Sequence, residues 1–166
     1  HNLFFDTDFE RHANEIYDRP SWPEDPLFYA NFPSVTDHSM APKNSETGFF
    51  LIPIATNLTD TPELRNQYFD IVMDRFEKRT GQNIKNNIIF KESFCVNDFV
   101  EQYNSYKGNA YGMANTLRQT AFLRPGLKSS KVKNLYFTGQ LTVPGPGVPP
   151  ALISGKLVSQ LIDKNI

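Results

Sequence analysis

The sequence has only one cysteine, Cys95, and no long apolar run. A lone cysteine excludes a disulfide within the chain and a cysteine-pair metal site, and it is most simply explained by a cytosolic protein. No stretch approaches the roughly 18 consecutive apolar residues of a membrane-spanning helix, and no basic and apolar leader opens the chain. We therefore do not expect an integral membrane protein. The length of 166 residues suits a single globular domain.

Acidic residues are absent from residues 102–162, which hold 7 Lys and Arg, whereas residues 1–101 hold 9 Lys and Arg against 17 Asp and Glu. One interpretation is that acidic and basic faces pair within one fold or are solvated separately. The other is that the basic stretch meets an anion, such as a cofactor phosphate or an anionic lipid surface. Because the basic residues form no dense run, nucleic acid is not expected as a partner. Arg118 and Arg124 are expected to be solvated at the surface, and contact with phosphate or lipid headgroups is the alternative.

Histidine is also scarce, and His1, His12 and His38 are too widely spaced to predict a metal site. His12 falls on a helix face beside acidic residues, so we expect it to be solvated. Cys95 lies between two apolar residues, which favours a buried and unreactive thiol. The aromatic side chains, 14 Phe, 7 Tyr and 1 Trp, suit either a packed core or the lining of a channel for a long apolar molecule.

Helix and strand signals alternate along the chain, which predicts an α/β or mixed α+β fold. Short runs of β-branched, aromatic and other apolar residues predict strands over residues 3–5, 27–32, 48–54, 87–91 and 134–138. Helical spacing of apolar residues predicts helices from Thr7 to Tyr17 and over residues 61–81, 97–104 and 151–164. The run 48–54 is continuously apolar, so we expect a strand buried on both faces beside residues 27–32.

Two of the predicted helices carry clear capping signals. Thr7 stands three residues before Glu10, which is the spacing of a capping box and predicts Thr7 as the N-cap. Thr61 precedes Pro62, and proline is favoured at the first helical position. Gly81 suits the end of the same helix, because glycine readily adopts the left-handed conformation found there.

Residues 134–155 are the stretch most typical of a binding site. A predicted strand ends at a glycine, a loop rich in glycine and proline follows, and a helix begins at Pro149 or Pro150. The free N–H groups and positive dipole end of such a helix favour negative charge, from a phosphate or from the edge of a reduced flavin. Gly145 and Gly147 would let the main chain lie against a flat ring. An ordinary loop before a C-terminal helix is the alternative.

This stretch resembles the C-terminal flavin-binding signature of the carotenoid desaturase family, the bacterial and fungal type of phytoene desaturase in the amine-oxidase-like superfamily. The likeness covers essentially the whole chain, because further motifs occur in an order similar to that of the family. These motifs are His1–Phe5, Leu27–Pro42, Phe49–Pro53, Tyr111–Gly112 and Arg124–Pro125. The resemblance implies that the chain is the C-terminal part of a two-domain FAD oxidoreductase.

In that family, the C-terminal segment returns to the dinucleotide-binding domain and completes the FAD site. The resemblance therefore implies that residues 1–130 belong to the substrate-binding domain, with a mixed sheet and helices. It implies that residues 131–166 are a terminal strand, turn and helix of the FAD-binding domain. The residues implied to contact FAD are Gly139 and Gln140 near the phosphates and ribityl chain, and Thr142, Gly145, Gly147, Val148 and Pro149 along the isoalloxazine. No catalytic side chain is implied.

The activity that the resemblance implies is FAD-dependent desaturation of phytoene or a related carotenoid polyene. A carotenoid isomerase, saturase or ketolase of the same superfamily is one alternative. A non-catalytic module that binds a lipid or a protein partner is the other. Because the substrate is so apolar, the resemblance also implies a cytoplasmic protein that associates peripherally with a membrane surface.

The glycine-rich fingerprint Gly-x-Gly-x-x-Gly, which binds dinucleotides in this family, does not occur in the chain. The chain also begins at His1 and runs directly into an apolar stretch. We therefore expect a piece of a longer protein, whose N-terminal dinucleotide-binding region is its partner in the FAD site. By itself, the chain is expected to bind FAD weakly or not at all and to be inactive.

Overall fold

The computed structural model describes residues 1–114 and 116–164, which divide into two compact units, His1–Asp98 and Phe99–Ile166. Four α-helices and a three-stranded sheet form the regular structure of the described residues, so the predicted mixture of helix and strand is confirmed. Among the same residues, no helix has both the length and the apolar character needed to cross a membrane. The predicted division at residue 130 concerns the domains of a longer protein and stays a prediction.

The first unit is built on an antiparallel sheet. Its strands, in spatial order, are β1 (Asn2–Phe4), β2 (Phe28–Asn31) and β3 (Phe49–Leu51). The predicted pairing of residues 48–54 with 27–32 is confirmed, since Ala30 lies opposite Phe50. The expected burial of this strand on both faces is wrong, because β3 is an edge strand whose residues alternate between exposed and half-buried.

Helix α2, Pro62–Thr80, covers the inner face of the sheet with its buried side. The Thr61 hydroxyl accepts a hydrogen bond from the N–H of Leu64 at 3.3 Å, and Gly81 ends the helix at a φ of 69°. Both predicted capping signals of this helix are therefore confirmed. The core between helix and sheet is formed by Phe28, Ala30, Val72 and Met73, with Phe4, Phe32, Phe50, Ile52, Phe69, Ile84 and Ile88 packed around them.

Phenylalanine rings fill much of this core. Phe4 stacks on Phe28 with ring centroids 4.2 Å apart, and Phe76 meets both Phe32 and Phe50 at 5.6 and 5.4 Å. These distances are typical of favourable aromatic pairs. The aromatic residues were expected to form either a packed core or the lining of a channel, and these five side chains belong to the packed core.

Helix α1, Phe9–Tyr17, begins later than the sequence predicts, because its N-cap is Asp8. The Asp8 carboxylate accepts hydrogen bonds from the N–H groups of Glu10 and Arg11. The Thr7 hydroxyl donates instead to the backbone carbonyl of Asp25 at 3.0 Å. A carboxylate forms stronger hydrogen bonds with helical N–H groups than a hydroxyl does, which explains the change of cap.

His12 is the buried residue of α1, with 3% of its surface exposed, so the predicted solvated histidine is wrong. Its Nδ1 accepts a hydrogen bond from the N–H of Leu27 at 3.0 Å. The proton of the neutral ring therefore lies on Nε2, which donates to the carbonyl of Pro53 at 2.8 Å. The imidazole ties α1 to the segments that begin β2 and follow β3.

A second polar cluster joins α2 to the start of α3, Val96–Tyr103. Arg65 donates to both oxygens of Asp60 at 2.6 and 2.7 Å and lies 2.8 Å from the carboxylate of Asp98. The Asp60 side chain has no exposed surface, and its hydrogen bonds with Arg65 lower the pKa of its carboxyl. Beside the cluster, Cys95 is half-buried, and burial raises the pKa of its thiol, as expected for an unreactive cysteine.

The principal helix of the second unit is α4, Val148–Asp163, which begins one residue before Pro149, the earlier of the two starts predicted from the loop, and three residues before the predicted range 151–164. The predicted strand 134–138 is wrong, because it is reduced to a single bridge between Lys128 and Tyr136. Two backbone hydrogen bonds, from Ser129 N–H to Leu135 and from Phe137 N–H to Leu127, flank that bridge, so the regular pairing covers one residue pair and is too short for a strand. Of the predicted strand, turn and helix, the structure therefore has the turn and the helix.

The predicted strand 87–91 is wrong as well. Residues 85–87 form a single 3₁₀ turn, and the following Ile89 and Phe90 are 84% and 78% exposed. A β-rich run forms a strand only where a partner strand offers hydrogen bonds, and a sequence pattern does not show whether a partner is adjacent. Within this run, Ile88 packs against the core.

Candidate functional site

The seven residues predicted to contact FAD lie together in the Gly/Pro loop, residues 139–147, and in the first turn of α4. Gly139, Gly145 and Gly147 have φ angles of +104°, +139° and +107°, which residues with a side chain rarely adopt. The backbone path of the loop itself therefore requires glycine at three positions. A Cβ added at Gly139 would meet no atom within 4 Å, so the loop is open at that point.

Ser154, on α4, holds the start of the Gly/Pro loop and is fully buried. Its Oγ accepts a hydrogen bond from the N–H of Gly139 at 2.8 Å and donates to the carbonyl of Ala151 at 2.6 Å. Its one proton is used in the second bond, so the Thr138 hydroxyl, 2.8 Å away, is the donor of the pair. The serine hydroxyl thus has its one donor and both acceptor positions filled.

Thr142 shapes the turn inside the loop. It is 3% exposed, and both its N–H and its hydroxyl donate to the carbonyl of Gly139, at 3.2 and 2.9 Å. The side chain is therefore engaged within the loop. Its structural contribution is to hold the turn that carries Gln140 and Leu141.

Arg124 is a second support of the loop and is 4% exposed, so the predicted solvated arginine is wrong. Its guanidinium donates to the carbonyl of Gln140 at 3.1 Å and to that of Met113 at 3.5 Å. Its Nε lies 3.6 Å from the position that a Cβ on Gly145 would occupy. The buried guanidinium therefore binds the start of the loop at Gln140 and lies beside Gly145 near its end.

The segment that follows Arg124 runs antiparallel to the chain entering the loop. Three backbone hydrogen bonds join the two: Ser129 N–H to Leu135 at 2.9 Å, Phe137 N–H to Leu127 at 2.9 Å, and Val143 N–H to Pro125 at 3.2 Å. Because the last bond reaches into the loop, the backbone next to Arg124 and its side chain both fix the loop position.

The first turn of α4 offers fewer N–H groups than predicted. Pro149 and Pro150 have none, and the N–H of Ala151 donates to the carbonyl of Gly147 at 3.0 Å. Val148 therefore supplies the one N–H among the first three helical positions, and its side chain is 75% exposed. The helix start combines a positive dipole end, a single donor and an apolar side chain.

These features fit the flat ring of a flavin. A phosphate is usually held by several N–H groups, which this helix start does not provide. A ring system needs close approach of bare main chain, apolar contact and few donors, and the glycines and Val148 supply these. The residues that would hold the ring are Gly145, Gly147, Val148 and Pro149, with Gly139 and Gln140 at the open end of the loop.

Sequence patterns alone do not identify Ser154 and Arg124 as supports of the site. Ser154 occurs in a helix with several small residues, and Arg124 resembles the exposed Arg118 in its neighbourhood of basic residues. The one available signal is the absence of acidic residues around Arg124, which shows that no carboxylate close in sequence can pair with it. Its carbonyl partners become adjacent only in the folded chain.

Comparison with known proteins shows similarity along the whole chain. It is 44% identical over 166 residues to the carotenoid 3,4-desaturase of Haloarcula japonica, covering all of this chain and 34% of that protein. It is 31% identical over 172 residues to the 4,4'-diapophytoene desaturase (4,4'-diaponeurosporene-forming) of Staphylococcus haemolyticus, covering 100% and 34%. It is 30% identical over 167 residues to the zeta-carotene-forming phytoene desaturase of Myxococcus xanthus, covering 96% and 31%. The chain belongs to the carotenoid desaturase family.

The resemblance to the carotenoid desaturase family is therefore confirmed. The chain spans about a third of the length of the curated relatives it matches. No protein-family model matches it. Within this carotenoid desaturase chain, the Gly/Pro loop and its supports Arg124 and Ser154 form the candidate site, since they combine bare main chain with buried polar anchors.

Proposed function

We propose that this chain is the C-terminal part of an FAD-dependent enzyme that desaturates phytoene or a related carotenoid polyene. The observation that carries the proposal is the similarity of this chain, over 96–100% of its length, to three proteins named as desaturases. The rest of the longer protein would supply the dinucleotide-binding region of the FAD site, which makes it the partner of this chain.

Desaturation removes two hydrogens from adjacent carbons of the polyene, and a bound flavin supplies the acceptor for the two electrons. The contribution of this chain is to position the flavin ring and to polarise it. Gly145 and Gly147 allow close approach of the main chain to the ring. The N–H of Val148 and the positive end of the α4 dipole favour negative charge on the ring edge that faces them. The engaged hydroxyl of Thr142 holds the loop and takes no part in proton transfer.

The outer face of the sheet offers an apolar surface for the polyene. Leu3, Tyr29 and Leu51 lie in one row across the three strands, and Phe49 is on the same face. Leu3, Leu51 and Phe49 are 67%, 41% and 51% exposed, although the opposite face of the same strands forms the core. An exposed apolar face of this kind is typical of a binding surface.

A very apolar substrate is reached from a lipid phase, so the proposal includes a cytoplasmic protein bound peripherally to a membrane. In the second unit, Leu117 and Phe122 are 89% and 87% exposed and flank Arg118 in sequence. Exposed apolar side chains beside basic ones are typical of proteins that lie on membranes. The absence of acidic residues from 102 to 162 favours attraction to anionic lipids.

The deciding experiment is an absorbance spectrum of the full-length protein, purified and incubated without oxygen with phytoene in liposomes. We expect a bound flavin band that bleaches as polyenes with longer conjugation form. The matched control is the same protein in liposomes without phytoene, in which the band should persist.

The other outcomes identify the alternatives. A flavin band that never bleaches, with a changed product, would favour an isomerase or another activity of the superfamily. A folded full-length protein that binds no flavin would refute the proposal and favour a binding module.

A further inference from the structure

We propose that Arg124 is a positioning residue of the flavin site, which sets both the shape and the electrostatic potential of the Gly/Pro loop. This inference rests on the proposed function, because it assigns a role in holding the flavin ring. Arg124 does not touch the ring in this assignment. It acts through the backbone of the loop that does.

The hydrogen bonds of Arg124 reach two segments that are distant in sequence. Its guanidinium binds the carbonyl of Gln140 at the start of the loop and the carbonyl of Met113. Its Nε and Cζ also lie 3.6 and 3.9 Å from the position that a Cβ on Gly145 would occupy, so the guanidinium fills the space beside Gly145. Loss of the guanidinium would therefore release Gln140 and leave space behind Gly145, so the loop could shift at both points.

The charge of Arg124 provides a second effect. The side chain is 96% shielded from solvent, and a charge in such a place acts over a longer range than an exposed one. A positive charge close to the loop favours the electron-rich reduced state of a ring that rests on the loop. Neutralising Arg124 is therefore expected to make the flavin harder to reduce.

The test uses the full-length protein and two replacements that separate these effects. Arg124→Gln keeps hydrogen-bond donors but removes the charge, whereas Arg124→Lys keeps the charge but loses the planar fork. Arg19→Gln removes the same charge from an exposed position in the first unit and is the control. The readouts are the Kd for FAD after removal of the flavin, the midpoint potential from a redox titration, and far-UV circular dichroism.

We expect Arg124→Gln to raise the Kd for FAD by about 10-fold or more and to lower the midpoint potential. Arg124→Lys should weaken FAD binding but keep the potential close to that of the parent. Arg19→Gln should match the parent in both measurements. A folded Arg124→Gln variant with unchanged Kd and potential would overturn the inference.

Two further results remain decisive. If Arg124→Gln fails to fold, Arg124→Lys decides: weaker FAD binding at an unchanged potential supports the inference, and unchanged binding refutes it. A parent protein that binds no FAD refutes the proposed function, and the inference with it. FAD binding by the parent and an unaffected Arg124→Gln variant refute the inference alone.

Discussion

At the scale of single residues, His12 shows how one side chain can fix the path of three segments. Its ring accepts a hydrogen bond from Leu27 and donates one to Pro53, so only the neutral ring with its proton on Nε2 satisfies both. A buried ring used in this way has a structural role, which the pattern of charges around it in sequence does not reveal.

Replacing His12 with Phe should destabilise the first unit by about 3 kcal/mol, because it leaves the buried N–H of Leu27 and the partly buried carbonyl of Pro53 without partners. We expect roughly 100-fold faster hydrogen exchange at the Leu27 amide, measured by mass spectrometry on the full-length protein. His12→Gln is the control, since glutamine offers both a donor and an acceptor. Equal exchange in the Phe variant and the parent would contradict this role.

The ion pair of Asp60 and Arg65 predicts a response to acid. Because Arg65 lowers the pKa of Asp60, the folded state gains stability that is present above the usual pKa near 3.8 and is lost as the pH falls through the lowered value. Asp60→Asn should therefore cost about 2 kcal/mol at pH 7 and progressively less below pH 4. Thermal unfolding of both proteins at pH 7 and pH 3 checks this. Glu92→Gln, at an exposed carboxylate, should show no such difference.

At the scale of elements, two glycines of the second unit form a natural pair for testing the Gly/Pro loop. A Cβ would meet nothing within 4 Å at either Gly126 or Gly139, but only Gly139 has a left-handed φ. Gly139→Ala should therefore cost about 1–3 kcal/mol of local strain, whereas Gly126→Ala should cost little. Flavin content after purification measures the effect, and equal content in the two variants would show that the loop tolerates another path.

The sheet carries its own prediction. Changing Leu3 and Leu51 together to Gln should raise the apparent KM for the polyene about 10-fold, because two apolar contacts on the outer face are lost while the core face is untouched. Flavin content and secondary structure should stay at the parent level. A double variant at exposed acidic positions, Glu10→Gln and Glu24→Gln, is the control, and an unchanged KM in the leucine variant would exclude this face as a polyene contact.

Elements could be predicted from the sequence where the signal was local. Thr61, Pro62 and Gly81 mark both ends of α2 because capping depends on neighbours within one turn. The strand predictions that were wrong concern segments that need a partner strand. Residues 87–91 have the composition of a strand, but they form no strand in the structure. The pairing of β2 with β3 could be predicted, but the exposure of β3 could not, since apolar composition does not show what covers an edge strand.

At the scale of the whole molecule, the division of charge lies close to the boundary of the two compact units. The acidic stretch ends at residue 101, and the second unit begins at Phe99. The basic second unit should therefore dominate binding to anionic lipid surfaces.

Replacing Arg118, Lys131 and Lys133 together with Gln should weaken binding of the full-length protein to anionic vesicles by about 100-fold, at about 1 kcal/mol for each charge. Binding to neutral vesicles should not change. The matched control replaces Arg19, Lys43 and Lys78 in the first unit, and sedimentation with vesicles measures both. Equal loss in the two triple variants would show that net charge, not this surface, controls binding.

The position of the Gly/Pro loop could be predicted from the sequence, but the side chains that hold the loop in place could not. The glycines and prolines of residues 139–149, followed by a predicted helix, indicated the loop, because these two residue types have backbone preferences that are known from the residue type alone. The roles of Arg124 and Ser154 were not visible, because both act on backbone atoms that any residue type provides. Such contacts leave no pattern in a single sequence.

The hydrogen bonds described above from Arg124, Thr142, Val143 and Ser154, which support the Gly/Pro loop, join residues within one continuous stretch, from Met113 to Ser154. A recombination event that moves this stretch between relatives would carry the loop together with its anchors. A crossover between Arg124 and Gln140 would instead join a loop from one parent to an arginine from the other. The stretch can therefore be exchanged as one unit, and chimeras of this family should keep the conformation of the Gly/Pro loop when crossovers fall outside it.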